Sequence, residues 1–187
     1  MGALSKPQTR RLRRARRLEI AAARDLEADG RALAAHALDL VASLRLAPGA
    51  TVLSYESMPA EPPTTALNAR LVAAGLRVLV PDTLPDLDLD WHDVSGDGGR
   101  LGLDAVRTAT LVLAPGLAVD RSGTRMGQGG GCYDRALTRR APGVRAVVLL
   151  HPGELLDPGA EPLPVEPHDV RVDGVLTADG LVDLPAG

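Results

Sequence analysis

The glycine-rich segment at residues 125–135 contains the residue types best suited to chemistry in this chain. It reads Arg-Met-Gly-Gln-Gly-Gly-Gly-Cys-Tyr-Asp-Arg, with four glycines in five positions. Glycine leaves the backbone amides bare and adopts positive φ readily. Bare amides that lead into a helix bind anions, most often phosphate. With Arg125 as a cation and Asp134 as a carboxylate, the segment indicates a phosphate site that can also hold a metal ion. The alternative is a flexible turn with ordinary helix-start chemistry.

A stripe of cations near the N-terminus is the second candidate. Lys6, Arg10, Arg13 and Arg17 follow the spacing i, i+4, i+7, i+11, which places them on one side of a helix. Like charges at i, i+4 repel, so the stripe gains from a bound anion or from an acidic neighbour in the protein. Two other interpretations remain open, a solvated face of an arginine-rich protein and a nucleic-acid contact. No aromatic platform accompanies the arginines, which disfavours the nucleic-acid contact.

The two common nucleotide-binding motifs are absent from the sequence. The dinucleotide fingerprint needs G-x-G-x-x-G, but counting from Gly127 its third glycine would fall at Cys132. There is also no G-x-x-x-x-G-K-[ST]. Any nucleotide must therefore be bound by another arrangement. The four histidines show no metal-ligand spacing and receive no predicted role.

The composition predicts one globular domain over residues 1–187. The chain is 45% hydrophobic, which is typical of a protein with a sizeable core. Its single cysteine fits a reducing compartment. No apolar run approaches the roughly 20 residues of a membrane span, and the basic N-terminus lacks the apolar stretch of a signal peptide. We therefore expect a cytoplasmic protein without a membrane partner.

The elements that must position these residues alternate between helix and strand. Helical periodicity runs from Ser5 past Leu26, is interrupted at Asp29-Gly30 and resumes to about residue 45. Other helices are predicted at residues 62–74, 104–109 and 134–139, a loop at 81–90, and strands at 51–55, 77–80, 111–114, 144–150 and 172–177. Short, continuous apolar strands between helices indicate a three-layer α/β fold. We expect a mostly parallel sheet with helices on both faces.

Residues 111–137 resemble the signature of the 5-formyltetrahydrofolate cyclo-ligases (5,10-methenyltetrahydrofolate synthetases). Three further segments match that family in the same order: Lys6…Arg10…Arg17, Tyr55…Glu61-Pro62-Pro63-Thr64, and Glu166-Pro167-His168-Asp169…Asp173. The resemblance implies an ATP-dependent enzyme that cyclises 5-formyltetrahydrofolate to 5,10-methenyltetrahydrofolate and releases ADP and phosphate. It implies Mg²⁺ as cofactor, reduced folate and ATP as the only partners, no nucleic acid, and a monomer or weak homodimer.

The same resemblance implies a role for individual residues. Arg125 and Tyr133 would be catalytic, Asp134 and Asp169 would hold Mg²⁺, and Glu61 would bind the pterin edge of the folate. The ATP-binding set would comprise Lys6, Arg10, Arg125, Met126, Gly127, Gln128, Gly129, Gly130, Gly131, Cys132 and Tyr133. The folate would share with it Gln128, Gly129, Gly130, Gly131 and Cys132.

Three positions depart from the family pattern. Cys132 stands where the family usually has tyrosine, Gly130 where some members have lysine, and Gln128 where a basic or aromatic residue is common. A same-fold, ATP-dependent enzyme with a non-folate substrate is therefore the alternative, and a nucleic-acid-binding module that uses the basic helix is less favoured. Tyr133 fits packing as well as catalysis. Trp91 fits stacking on the folate, although a lone tryptophan is more often a packing residue.

Overall fold

Two helices open the chain in the computed structural model, which describes residues 4–159 and 161–185. They are α1 (Lys6–Ala22) and α2 (Leu26–Ser43). The predicted interruption at Asp29-Gly30 is wrong, because α2 runs through it. The side chain of Asp25 caps α2 by accepting the amide of Ala28 at 3.0 Å, so the break lies one turn earlier. A Cβ on Gly30 would lie 3.3 Å from Pro63, so this glycine allows a close approach inside the helix.

The remaining elements include the helices and strands that the sequence predicts, together with several strands that it does not. The other helices are α3 (Thr65–Ala73), a 3₁₀ helix (Leu103–Thr108) and α4 (Cys132–Arg139). In chain order, the strands are β1 (Thr51–Leu53), β2 (Arg77–Thr83), β3 (Leu89–Asp93), β4 (Ala109–Pro115), β5 (Ala118–Asp120), β6 (Arg125–Met126), β7 (Arg145–Leu149), β8 (Leu155–Leu156), β9 (Gly174–Thr177) and β10 (Gly180–Asp183).

Seven strands form the main sheet in the order β10-β9-β7-β4-β1-β2-β3. The five inner strands are parallel, and the edge strands β3 and β10 are antiparallel to their neighbours. The prediction of a mostly parallel sheet is confirmed. The predicted loop at 81–90 is partly wrong, because β2 continues through Pro81 and forms a hairpin with β3. Pro81 is tolerated there because β1 pairs with β2 only as far as Leu79, which leaves one side of the strand open.

Helices cover both faces of this sheet, which confirms the three-layer α/β fold. On one face, α2 and α3 pack on Val52, Val78, Leu111 and Leu149. On the other face, α4 and the 3₁₀ helix pack on Leu53, Leu79, Val112 and Val148. Within the described ranges, no helix is both long enough and apolar enough to span a membrane.

A small second sheet combines two strands that follow β4 with one short strand that follows β7. Its order is β6-β5-β8, and it has its own apolar cluster of Leu117, Ala118, Met126, Leu156 and Leu163. We did not predict this sheet, since strands of two or three residues carry no readable periodicity. It matters for the site because β6 contains Arg125 and Met126, the first two residues of the glycine-rich segment.

Helix α1 directs its charged side toward the protein and its apolar side outward. Leu12 and Leu18 are 51% and 62% exposed, whereas Arg17 is buried. The cations of the stripe contact acidic residues: Lys6 contacts Glu166 and Asp169, Arg13 contacts Glu161, and Arg17 contacts Glu154. Of the interpretations left open for the stripe, an acidic neighbour within the protein therefore applies to these three residues.

Candidate active site

A cavity lies at the carboxyl ends of the central parallel strands. It has a volume of about 600 Å³, and its wall includes Tyr55, just after β1, and Gly116, just after β4. From β1 the chain proceeds to β2 on one side, while β4 lies on the other side of β1. Ligands of open α/β sheets bind at such a switch point in strand order. Position alone therefore marks this cavity as the candidate site.

Every residue that the sequence predicted for the site lines this one cavity. These residues are Lys6, Arg10, Glu61, Arg125, Met126, Gly127, Gln128, Gly129, Gly130, Gly131, Cys132, Tyr133, Asp134 and Asp169. They come from four separate stretches of the chain: α1, the loop after β1, the segment from β6 into α4, and the segment before β9.

The glycine-rich loop requires glycine at particular positions. Gly131 has φ of +67° and caps the N-terminus of α4, and Gly129 has φ of +117°. Both values lie in the left-handed region that side chains disfavour. At Gly127 a Cβ would come within 2.8 Å of the Arg125 guanidinium, so any larger residue there would displace that guanidinium. The loop thus presents its backbone to the cavity at the start of a helix, where amides favour an anion.

Arg125 is a buried cation beneath this loop. Its Nη2 donates to Asp134 Oδ1 at 2.8 Å and its Nη1 to the carbonyl of Pro115 at 3.2 Å. Among the described residues its Nε has no hydrogen-bond partner. The guanidinium carbon lies 5.9 Å from the centre of the Tyr133 ring, within the range of a cation–π contact. Arg125 is therefore oriented by Asp134, and its Nε–H has no acceptor among the described residues.

Tyr133 and Trp91 pack edge to face, with ring centres 6.5 Å apart. Trp91 is fully buried in the core, so it is a packing residue and does not stack on a ligand in the cavity. The hydroxyl of Tyr133 is buried without a hydrogen-bond partner among the described residues. Burial raises the pKa of Tyr133 far above its ordinary value, so the hydroxyl keeps its proton and can act as a donor.

The cavity wall formed by α1 contains one paired and one unpaired cation. Lys6 Nζ donates to Glu166 Oε2 at 2.8 Å and to both oxygens of Asp169 at 2.7 Å. Burial opposes ionisation of Asp169, but the hydrogen bonds from Lys6 and from the Glu166 amide outweigh it and lower the pKa of Asp169. Arg10 forms no ion pair within the described ranges, and its Nε is buried without a partner beside Gly129. Arg10 is thus free to bind an anion held by the loop.

Glu61 lines the cavity from a turn that follows β1. Its side chain is buried, and Oε2 accepts the amide of Met58 at 2.9 Å. Tyr55 lies in the same wall, and its pKa is raised well above the ordinary value, first by burial and then by the negative charge of Glu61. This end of the cavity therefore offers a fixed carboxylate and a neutral phenol.

The two predicted magnesium ligands both line the cavity, and each is paired with a different cation. Asp134 faces Arg125, and Asp169 faces Lys6. In the described part of the chain, the one group of three possible ligands consists of Glu166, His168 and Asp169, whose ligand atoms all lie within 4.8 Å of one another. Asp169 thus has neighbours that sequence reasoning did not assign.

Sequence reasoning missed several residues of the wall. Glu166 and His168 stand beside Asp169 in the quoted segment Glu166-Pro167-His168-Asp169, which was a usable signal. Tyr55 could have been found because it follows the end of a parallel strand. Arg14 lies outside the wall but holds a residue of it, since it donates to the Gln128 side-chain oxygen at 2.9 Å and to the Gln128 carbonyl at 2.5 Å. Apart from its place in α1, no sequence signal pointed to this contact.

The chain is similar to known proteins along most of its length. The family model described as the 5-formyltetrahydrofolate cyclo-ligase family matches residues 3–178. A 5-formyltetrahydrofolate cyclo-ligase of Mycolicibacterium smegmatis is 36% identical over 155 residues, which cover 73% of this chain and 78% of the relative. A mitochondrial 5-formyltetrahydrofolate cyclo-ligase of Arabidopsis thaliana is 34% identical over 122 residues, or 61% of this chain and 40% of the relative.

Two solved structures share the fold. A 5,10-methenyltetrahydrofolate synthetase from Mycoplasma pneumoniae superposes with a TM-score of 0.71 at 19% identity, covering 94% of this chain and 99% of that chain. The Aquifex aeolicus 5,10-methenyltetrahydrofolate synthetase gives a TM-score of 0.70 at 19% identity and covers 98% and 95%. At this level of identity, the likeness concerns the architecture alone.

Proposed function

This chain belongs to the 5-formyltetrahydrofolate cyclo-ligase family, and we propose that it converts 5-formyltetrahydrofolate and ATP into 5,10-methenyltetrahydrofolate, ADP and phosphate. The match of the family model confirms the family that four segments of the sequence had indicated. The observation that carries the proposal is the cavity in which the glycine-rich loop, the cations of α1 and the Glu61 turn meet. It offers an anion site and a fixed carboxylate side by side, as a reaction between ATP and a folate requires.

The reaction has two chemical stages. The formyl group on N5 is amide-like, so its oxygen is a poor leaving group. That oxygen attacks the γ-phosphorus of ATP, the bond from phosphorus to the bridging oxygen breaks, and ADP leaves. N10 then attacks the formyl carbon and loses its proton, the carbon–oxygen bond breaks, and phosphate departs with that oxygen. The protein must align the two reactants and stabilise the charge on the phosphoryl group.

The residues around the loop suit the triphosphate. Arg10 and the Nε of Arg125 are cationic donors without partners in the described part of the chain, and both lie beside the loop. The amides of residues 127–133 lead into α4, where the helix dipole favours negative charge. We assign the phosphates to this surface, with Arg125 and the hydroxyl of Tyr133 as donors to the reacting groups.

Asp134 and Asp169 would hold the Mg²⁺ that accompanies ATP. Both offer carboxylate oxygens, the ligands that this hard cation prefers. Each carboxylate is already paired with a cationic side chain, Arg125 or Lys6, so a bound Mg²⁺ would have to share the carboxylate with that cation or displace it. When bound, the ion would neutralise part of the phosphate charge.

The folate would lie between the loop and the Glu61 turn. Glu61 uses Oε2 for the Met58 amide, and a carboxylate has further lone pairs for the N–H groups of a pterin edge. Residues 128–132 would contact both substrates, which brings the formyl oxygen next to the γ-phosphate. The polar groups of the wall and its apolar members, such as Met58 and Leu89, fit a flat, amphipathic ligand.

We extend the proposal to the remaining properties of the chain. Residues 1–187 would act as one domain, in the cytoplasm, as a monomer or weak homodimer, with reduced folate and ATP as partners. Under this proposal α1 does not bind nucleic acid, because Arg13, Arg14 and Arg17 contact this protein's own residues.

The experiment is a stoichiometric assay with purified protein, 5-formyltetrahydrofolate and MgATP. We expect one ADP for each methenyl product, which is followed by its near-ultraviolet absorbance. Arg10→Met should lower kcat/KM for ATP about 100-fold, the usual effect of removing one well-aimed donor. Arg16→Met is the matched control, since Arg16 is exposed and pairs with Glu19 on the same helix.

Three outcomes would contradict the proposal. An absence of product with well-folded protein would exclude the cyclo-ligase reaction. ADP release that depends on another acceptor would indicate the same fold with a non-folate substrate. Salt-sensitive RNA binding without ATP hydrolysis would indicate the nucleic-acid module instead.

A further inference from the structure

We propose that His151 is a positioning residue for Glu61, and that its side chain sets the direction in which the Glu61 carboxylate meets the folate. The inference rests on the proposed function, because it concerns the folate side of the same cavity. His151 follows β7, is 1% exposed, and is absent from the cavity wall. It therefore acts through the residues that it holds rather than through contact with a ligand.

The link between His151 and the turn is one buried hydrogen bond. His151 Nε2 lies 3.0 Å from the carbonyl oxygen of Ala60, the residue directly before Glu61. Since a carbonyl oxygen only accepts, Nε2 must carry the proton and donate it. The two residues are 91 positions apart in the chain, so this bond ties the Glu61 turn to the end of a central strand.

Ala60 has a backbone conformation that needs such support. Its φ is +66°, in the left-handed region that residues other than glycine disfavour. A carbonyl released from His151 would let Ala60 relax toward negative φ, and Glu61 would turn with it. The carboxylate of Glu61 belongs to the same compact turn, since the Glu61 amide donates to Met58 at 3.0 Å while its Oε2 accepts the Met58 amide.

His151 is itself held by a buried charged group. Its amide donates to Glu154 Oε2 at 2.9 Å, and the Glu154 amide donates back to the His151 carbonyl at 3.1 Å. Glu154 in turn binds Arg17 of α1 through both carboxylate oxygens. The imidazole thus extends from a rigid base, and the same base anchors the helix that contributes Lys6 and Arg10.

The test compares His151→Leu, which removes the donor, with His151→Gln, whose amide nitrogen can replace Nε2. We expect KM for 5-formyltetrahydrofolate to rise about tenfold in His151→Leu, the change that corresponds to roughly 1.4 kcal/mol. The affinity for MgATP alone, measured by calorimetry, should stay within about twofold of the wild type, because the loop and Arg10 are untouched. His151→Gln should restore most of the folate KM.

Hydrogen exchange of the backbone amides of Ser57, Met58, Ala60 and Glu61 gives a second readout. Exchange should be faster in His151→Leu than in the wild type and near normal in His151→Gln. His36→Leu, a change in the outer part of α2, serves as the matched control and should alter neither measurement. Should His151→Leu not fold, His151→Asn takes its place, because its shorter amide does not reach the Ala60 carbonyl.

The outcomes separate this inference from the proposed function. If the wild type makes the methenyl product while His151→Leu keeps its folate KM and its exchange pattern, the positioning role is refuted and the reaction stands. An equal loss of folate and ATP binding would also refute it, since that is what general destabilisation produces. If the wild type makes no product, the proposed function fails first, and the inference fails with it.

Discussion

Replacing Arg17 by methionine should destabilise the fold by removing the buried anchor of α1. Arg17 and Glu154 have side chains only 5% and 4% exposed. Arg17 donates to Glu154 Oε1 at 2.8 Å, to Glu154 Oε2 at 2.7 Å and to the Gly116 carbonyl at 2.5 Å. The variant would leave the Glu154 carboxylate buried without a cation, a change that typically costs about 3–5 kcal/mol.

This loss of stability should be measurable by thermal unfolding and by urea unfolding. A domain of this size loses about 2–4 °C in Tm for each kcal/mol, so Arg17→Met should lower Tm by about 6–20 °C. The double variant Arg17→Met/Glu154→Leu removes both charges and should regain most of the loss. Arg16→Met is the matched control, because Arg16 and Glu19 are 62% and 66% exposed, and the expected loss is below about 1 kcal/mol.

Urea unfolding followed by far-ultraviolet circular dichroism measures all four proteins, with the slope m checked for equality. The reasoning is refuted if Arg17→Met lowers the free energy of unfolding by less than about 1 kcal/mol, because a buried and unpaired carboxylate should destabilise the fold by more than that. It is equally refuted if the double variant is no more stable than Arg17→Met. In that case the loss would reflect packing of the arginine stem instead of an uncompensated charge.

Three further changes test other parts of the site. Gly127→Ala, which would push against Arg125, should lower kcat/KM about tenfold or more with little change in Tm, and equal activity would exclude that contact. Alkylation of Cys132 in the cavity wall should inhibit the enzyme, and bound MgATP should slow this alkylation. Full activity after alkylation would contradict the placement of Cys132 in the site. Lys6→Met should destabilise the protein at neutral pH. Because Lys6 lowers the pKa of Asp169, the difference from wild type should shrink as pH falls below the ordinary value of 3.8, and a constant difference would contradict the pairing.

The sequence predicted most of the main sheet because its signals are local. Continuous apolar runs bounded by glycine and proline marked β1, β2, β4, β7 and β9. The break between α1 and α2 was misplaced because Asp25 and Asp29-Gly30 both look like boundaries, and only the packing of Gly30 on Pro63 decides between them. The edge strand β10 and the small sheet were missed because their strands are only two to four residues long, too short to show a periodicity.

The residues of the candidate site were predictable from the sequence, whereas the ion pairs that hold them in place were not. The glycine-rich loop, Glu61 and Asp169 stand in segments whose spacing is visible in the sequence. The pairing of Lys6 with Asp169 joins residues 163 positions apart, and that of Arg17 with Glu154 joins residues 137 apart. No local pattern states which of several acids such a cation will meet, since the answer depends on how the sheet brings distant loops together.

Helix α1 shows why the cationic stripe and the apolar periodicity gave different expectations. A helix is usually oriented by burying its apolar side, but here Leu12 and Leu18 face outward. The orientation follows from electrostatics instead, because Arg17 is matched by a buried carboxylate and Lys6 by two acidic groups. Burying the apolar side would have left the arginines in solvent and Glu154 without a cation. The pairs that hold α1 in place also leave Arg10, unpaired in the described part of the chain, beside the loop.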